Sequence, residues 1–376
     1  MTLVQEGPSS SADLAVEAQL LDCLQANLAV LADRHHGPGT HLALGATLRF
    51  RPTTGSGGLP TVEPDLAGHL ADAGRLLGLT VTATWQQAGP ARLADLSRRH
   101  GELYVVADAH DLPWTPYHGQ RHLEHSFLVG SGPEGAAITD AYRNQTPWGA
   151  AEPGHWVVDW AALPVAGHVV ALAPAATVPT ATAAVDLADP APYLAAYAGH
   201  TDRVAALHRL TLETWLLARS RKLHAAFRAR AGIATTDAVE EHLREWDLLT
   251  EQTYLAARRV ERGRREPSGL LDRLGSALAA DRAVFAVEAS PDAVRDTVAG
   301  IVAAVLGTKV ERVLAEPELP RLPGFDSVRL VEVVARLEDQ LDVEFDPDDL
   351  LPENLHHLDG LCRLVTGAAG AAGGAR

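Results

Sequence analysis

The sequence predicts an α+β domain followed by two all-helical ones, and three observations carry that prediction. Between residues 102 and 173, short apolar runs alternate with Gly- and Pro-containing turns, the signature of an antiparallel sheet. Residues 193–286 are almost wholly helix-forming, with Leu207, Leu210, Trp215, Leu216 and Leu223 spaced for a buried stripe. Residues 292–366 read as four short helices, an acidic bundle of different character.

The elements follow in order. Asp22–Arg34 shows helical periodicity with Leu24, Leu28 and Leu31 on one face, and PTTGSGGLP (52–60) is a loop by composition. Asp65–Leu77 is helical, LTVTATW (79–85) is a strand, and PARLADLSRRH (90–100) is a helix with proline near its start. ELYVVA (102–107), HSFLVG (125–130), AAITDAY (136–142), HWVVDW (155–160) and HVVALA (168–173) supply the remaining strands. The α+β domain thus spans 14–173. The Pro/Ala/Thr-rich, nearly uncharged stretch 174–192 reads as a linker. VEASPD (287–292) marks the boundary before the last domain, and GAAGAAGGAR (367–376) reads as a disordered tail.

Composition narrows the function. A net charge of −16 argues against nucleic acid as a partner. No apolar run is long enough for a membrane span, and the N-terminus lacks a signal-peptide pattern, so a cytoplasmic protein is expected. Two cysteines, Cys23 and Cys362, make no disulfide framework. The charge is uneven: Glu311–Asp359 holds fourteen Asp and Glu against four Arg, a net of −10, whereas Asp202–Arg282 holds fifteen basic against twelve acidic residues, a net of +3.

The acidic bundle contains GFDSVRLVEVVARLEDQLDVEF (324–345). Prolines before Asp326 stop any earlier helix, so Ser327 opens the next one with its hydroxyl exposed. Val328, Val331, Val334 and Leu337 recur behind it at helical spacing. Asp-Ser at a helix start also suits a simple cap. The stretch resembles the acyl and peptidyl carrier protein family, whose motif is G-x-D-S-[LV]; Gly324, Asp326 and Ser327 stand at its positions. The resemblance covers about 75 residues. It implies a four-helix-bundle carrier domain with 4′-phosphopantetheine covalently on Ser327. It also implies a phosphopantetheinyl transferase and an adenylating loading enzyme as partners. Cys362, in line with Leu358, Leu361 and Val365, reads as a packed core residue.

In the first domain, LDCLQANLAVLADRHHG puts Cys23 at a helix start, where oriented N–H groups are expected to lower the thiol pKa. In RHLEHSFLVGSGPEGAAITDAYRN, His125 begins one strand and Asp140 ends the next, with GSGPEG between them. A hairpin would bring the two together, and an imidazole oriented by a carboxylate beside a cysteine is an acyl-transfer arrangement. DCLQANLAVLADRHHGPGTHLALGATLRF, HDLPWTPYHGQRHLEHSFLV and AAITDAYRN, in that order, resemble the butirosin-pathway acyltransferases of the BtrH type. That family has a papain-like fold and moves acyl groups from a carrier thioester to an amine. The resemblance implies Cys23 as nucleophile, His125 as general base and acid, and Asp140 as orienter. Papain-like proteases place an oxyanion-hole glutamine six residues before the cysteine; here Glu17 stands there, with Gln19 and Gln25 nearby.

His35, His36 and His41 lack the carboxylate or cysteine spacing of a metal site and read as solvated loop residues. HDLPWTPYHG (110–119) suits either a pocket rim or a packed loop. The arginines at 219–230 and 258–265 read as solvated helix faces, with docking of the acidic carrier as the functional alternative. The expected activity is transfer of an acyl, in particular aminoacyl, group to a small-molecule amine in specialised-metabolite or antibiotic biosynthesis. The rivals are a thioesterase or amidase using the same triad, and a non-catalytic scaffold fused to a carrier.

Overall fold

Apolar residues fill every position of Ala26–Ala32 except Asn27, and the helix they build, α1 (Gln25–His36), is buried along that whole stretch. A helix apolar on one face would lie on a surface, whereas this one is enclosed on all sides. The chain is known here from a computed structural model describing residues 4–5, 16–285, 291–341 and 343–374. It divides into two units, Met1–Ala286 and Val287–Arg376. The expected boundary at 287–292 falls largely outside the described residues.

In chain order the first unit adds β1 (Val4–Gln5), β2 (Thr47–Phe50), β3 (Thr53–Thr54), β4 (Pro60–Thr61), α2 (Leu66–Leu77), β5 (Leu79–Ala88), α3 (Pro90–His100) and β6 (Leu103–Asp108). β7 (Glu124–Gly132), β8 (Gly135–Asp140), β9 (Asn144–Thr146), β10 (Gly149–Ala151), β11 (Gly154–Val158) and β12 (Ala166–Pro174) follow. Seven of these strands form an antiparallel sheet in the order β1-β11-β8-β7-β6-β12-β5. Side chains alternate across it. Tyr104, Val106, Leu128 and Val170 share a core with Leu28 and Leu31 of α1, while Val105, Phe127, Val129 and Ile138 share another with Leu93 and Leu96 of α3. Each fully buried Leu contributes roughly 1.5–3 kcal/mol, so the central sheet is fastened from both faces.

The stretch expected as a linker is part of this unit. Ala184–Leu187 forms β13, paired in parallel with β2, and Ala175 N–H and Ala188 N–H donate to Gly78 and Phe50 carbonyls at 2.7 and 2.8 Å. Thr, Val and Ala suit an extended ladder as readily as a tether, so composition alone misassigns them.

The helices that follow, α4 (Ala191–Gly199), α5 (Arg203–Arg230), α6 (Asp237–Glu261) and α7 (Leu270–Val284), are likewise no separate domain. Leu207, Leu210, Leu217, Trp246 and Leu274 form a core that also takes in Phe50 and Leu59 from the first part of the chain. Glu213 of α5, fully buried, accepts from Thr61 Oγ1 and Val62 N–H at 2.7 Å each. At Gly45 the backbone approaches α5 so closely that an added Cβ would meet the Leu223 carbonyl oxygen at 2.4 Å.

The second unit contains α8 (Pro291–Leu306), α9 (Val310–Ala315), α10 (Ser327–Leu341), α11 (Pro352–Leu355) and α12 (Leu358–Gly374). Val298, Val302, Val313, Val333, Leu337, Phe345, Leu358 and Leu361 make its core, with Cys362 packed against it. Among the described residues it has three long helices and two short ones where four short helices were expected. α12 also continues to Gly374 through most of the expected tail, as alanine's helix propensity allows.

The imidazole of His224 is fully buried on α5, its Nδ1–H donating to the Gly45 carbonyl at 2.7 Å, and its Nε2 has no partner among the described residues. Burial pushes its pKa down to about 4, with Arg228 and Arg221 acting the same way. The fold therefore prefers neutral His224, and its stabilisation is complete above the ordinary value of about 6.5. It is lost as pH falls from there toward 4, by about 2 kcal/mol between about pH 7.5 and pH 5. Chemical denaturation at both pH values should show that loss, and His224→Gln should remove most of its pH dependence.

Candidate functional site

The residues ahead of α1 are held in place before the cysteine is reached. His41, expected as a solvated loop residue, is 2% exposed and sits between two partners. Its Nδ1 pairs with Asp33 Oδ2 at 2.8 Å, and its Nε2 accepts from Glu17 N–H at 3.2 Å. Asp22 then caps the helix. Its Oδ1 accepts from Leu24 and Gln25 N–H at 2.9 and 2.8 Å, Gln25 Oε1 returns the bond to Asp22 N–H at 3.2 Å, and Ala26 N–H reaches the Asp22 carbonyl at 3.1 Å. This reciprocal capping box places Cys23 at the first position of the helical turn.

Cys23 is pinned to β7 on both sides of His125. Its Sγ–H donates to the Glu124 carbonyl at 3.5 Å, and its own carbonyl accepts from Ser126 Oγ at 2.5 Å. One turn later, Asn27 donates to Ser126 O and Oγ at 2.9 and 3.1 Å and accepts from Ala141 N–H at 3.0 Å. The helix start is thereby fastened to β7 and to the end of β8.

β7 and β8 form a hairpin with Leu128 opposite Thr139 and Gly132 opposite Gly135. At its far end His125 Nε2 lies 2.7 Å from Asp140 Oδ2, with both residues buried. Asp140 Oδ1 accepts from Tyr142 N–H at 3.0 Å, and Oδ2 also accepts from Trp114 Nε1–H at 3.1 Å. A carboxylate so placed calls for the proton on His125 Nε2. That leaves His125 Nδ1, buried and without a hydrogen-bond partner among the described residues, as a free lone pair. Trp114 stands against Phe127 and Trp156, and Tyr142 meets His125 edge-on at 5.3 Å between centroids.

The thiol itself departs from expectation. Burial pushes the Cys23 pKa well up, and Asp22, Glu63 and Asp140 add to the effect; only its own backbone N–H pulls the other way. Burial is the larger cause, and the cap adds to it: Asp22 takes the Leu24 and Gln25 N–H groups and brings a negative charge beside the sulfur. In the resting structure the sulfur is turned to Glu124 and makes no hydrogen bond to His125. Gln19 is exposed, and Gln25 Oε1 is engaged in the cap.

Three contributors escaped the sequence reading. Asn27 was legible in principle, as the one polar residue in a buried helical run. Trp114 lay in a loop open to two readings. Arg219, expected on a solvated face, donates to the Ala18 carbonyl at 3.0 Å, the Leu21 carbonyl, and the Arg143 carbonyl at 2.9 Å, and lies 4.1 Å over Trp215. Its neighbours are also engaged: Arg221 is buried with Asp281, and Lys222 pairs with Asp247 at 2.5 Å. Arg258, Arg259, Arg262, Arg264 and Arg265 are exposed, as expected.

In the second unit, Asp326 Oδ1 accepts from Val328 and Arg329 N–H at 2.9 and 2.8 Å, and Leu330 N–H reaches the Asp326 carbonyl at 3.0 Å. The cap is therefore Asp326. Ser327 is exposed at the first turn of α10, and its hydroxyl makes no hydrogen bond among the described residues. Gly324 has φ +81°, and a Cβ there would meet the Leu306 carbonyl oxygen at 3.0 Å, so glycine suits this turn. Leu330, Val333 and Leu337 face the core, whereas Val328 and Val331, which stand at helical spacing with Leu337, are 78% and 69% exposed.

Residues 296–365 match the phosphopantetheine attachment site family. No curated protein matches the chain. The domain carries a covalent 4′-phosphopantetheine, and an exposed serine relieved of capping fits its attachment. A phosphopantetheinyl transferase and an acyl-loading partner follow from it. No described helix is long and apolar enough to cross a membrane.

Because Asp326 does the capping, Ser327→Ala should leave the denaturation midpoint of the second unit unchanged while abolishing mass gain on incubation with coenzyme A and a phosphopantetheinyl transferase. Asp326→Ala should cost about 1 kcal/mol of that unit's stability, read by denaturation followed in the second unit.

Proposed function

We propose that the first unit is a papain-like cysteine acyltransferase. In this reading Cys23 takes an acyl group, aminoacyl by our reading, from the carrier thioester and passes it to a small-molecule amine. The observation that carries the proposal is His125: one ring nitrogen is bound to Asp140, and the other is a buried, unpartnered base on the residue between the two that hold Cys23. The buried helix with cysteine at its start, against an antiparallel sheet bearing histidine, supports the papain-like reading.

The prosthetic arm supplies the acyl group as an activated thioester, loaded by an adenylating enzyme. His125 Nδ1 accepts the proton of Cys23 Sγ, and Asp140 stabilises the imidazolium that results. The sulfur attacks the acyl carbonyl, and His125 hands its proton to the leaving group. An amine then attacks the acyl-Cys23 carbonyl, giving up a proton to His125 Nδ1, and the Cys23 thiol is restored as the amide leaves. A thiol held neutral at rest suits this order of events, since His125 deprotonates it only as attack begins. A thioester needs less activation of the nucleophile than a peptide bond does. The Cys23 backbone N–H is the candidate donor to the developing oxyanion.

Two measurements test the reading. The holo-protein, loaded with aminoacyl groups and held without acceptor, should show acyl mass on the Cys23 peptide in a peptide-resolved mass spectrum, and Cys23→Ala should abolish it. Acylation confined to Ser327 would remove Cys23 as nucleophile and favour the scaffold. With an amine panel added, amide product identifies a transferase, while free acid alone would make the protein a thioesterase. Because burial pushes its thiol pKa up, Cys23 of the resting protein should alkylate only at higher pH than an ordinary free thiol does, as a pH series of alkylation rates would show.

A further inference from the structure

The segment before Cys23 and the segment after Asp140 lie more than a hundred residues apart in sequence, and one side chain from a third part of the chain joins them. Arg219 of α5 donates through Nη1 to the Ala18 and Leu21 carbonyls and through Nη2 to the Arg143 carbonyl at 2.9 Å, with Asn144 Oδ1 at 3.5 Å. Leu21 is two residues before the thiol, and Arg143 three after the carboxylate. Leu21 and Arg143 lie outside regular elements, so their carbonyls draw on such a donor, whereas the Ala18 carbonyl, in a short 3-10 turn, also accepts from Leu21 N–H at 3.2 Å. Trp215, one turn back on α5, backs the guanidinium at 4.1 Å. The flat, forked geometry matters: several convergent carbonyls suit a guanidinium, and an ammonium cannot span them.

We propose that Arg219 is a positioning residue: it locks the segment carrying Cys23 to the one following Asp140, and so sets the thiol against the His125–Asp140 pair. The helical layer is then part of the machinery rather than an appended domain. Arg219 touches neither reacting atom, and it acts through the backbone on either side. Its charge also lies within electrostatic reach of Tyr142, Asp22, Tyr117 and Cys23. The other ionisable groups facing the sulfur are Glu63, ahead of α2, and Asp140 at the end of β8.

The proposal rests on the triad reading, and its test is arranged so that the two can fail separately. The rate of iodoacetamide alkylation of Cys23 is measured against pH by peptide-resolved mass spectrometry in the full chain, with Cys362 of the same molecules as internal reference. In Arg219→Ala the Cys23 profile should move to higher pH and its rate at a fixed pH fall about tenfold, the change one pKa unit makes in thiolate fraction. Cys362 should be unaffected. Added guanidinium at tens of millimolar should restore part of the rate in Arg219→Ala and leave wild type unchanged, which a merely structural loss would not do. Arg219→Lys, which keeps the charge and loses the fork, should fall between and remains available if the alanine variant does not fold. Acyl transfer, where wild type shows it, should lose kcat with little change in KM for the amine. A folded Arg219→Ala or Arg219→Lys protein with the wild-type alkylation profile overturns the proposal. A wild-type protein that transfers no acyl group, while the variants show these shifts, overturns the transferase reading and leaves the clamp in place.

Discussion

The buried amide of Asn27 is the joint on which the candidate site depends. Its nitrogen holds Ser126 of β7, its oxygen holds the backbone N–H of Ala141 beyond β8, and both ends are satisfied inside the core. Replacing it by an apolar residue would leave a buried N–H without an acceptor, at a cost of about 1–3 kcal/mol. The consequence is more than stability. Ser126 also donates to the Cys23 carbonyl, so the amide fixes the start of α1 against the strand that bears His125 and beside the one that ends in Asp140.

Charge around the sulfur explains why such fixing is needed. A cysteine in the first turn of a helix is ordinarily pushed toward thiolate. Here burial and three carboxylates outweigh the turn, and the thiol stays protonated. A preformed ion pair would attract its partner imidazole, whereas a neutral pair must be held by the scaffold. Asn27, Ser126 and Arg219 supply that holding.

How much of this was legible depended on the range of the interaction concerned. The apolar runs ELYVVA, HSFLVG and HWVVDW are local signals, and those segments contribute strands to one antiparallel sheet. The hairpin that joins His125 to Asp140 was likewise readable from one turn. What failed was long-range. β13 has no signal of its own and becomes a strand only beside β2, more than 130 residues earlier. Arg219 looks like any helical arginine until its carbonyl partners, some 76 to 201 residues away, are placed. Val328 and Val331 show what spacing leaves open: it says that residues recur along a helix, not that they are covered.

Cys23 and Ser327 share a local device. Asp22 precedes Cys23 and Asp326 precedes Ser327, and each aspartate accepts the N–H groups two and three residues ahead through one oxygen. In both, the aspartate relieves the next residue of capping, so its side chain is free to do something else. The chemistry then diverges with the atom presented. For Ser327 the neighbouring carboxylate costs nothing, since a hydroxyl awaiting modification need not ionise beforehand. For Cys23 the same carboxylate adds to the burial that pushes the thiol pKa up, and the proposed reaction would need a base close by. In the proposed reaction His125 Nδ1, without a hydrogen-bond partner among the described residues, is that base, whereas the carrier serine stands exposed at the surface.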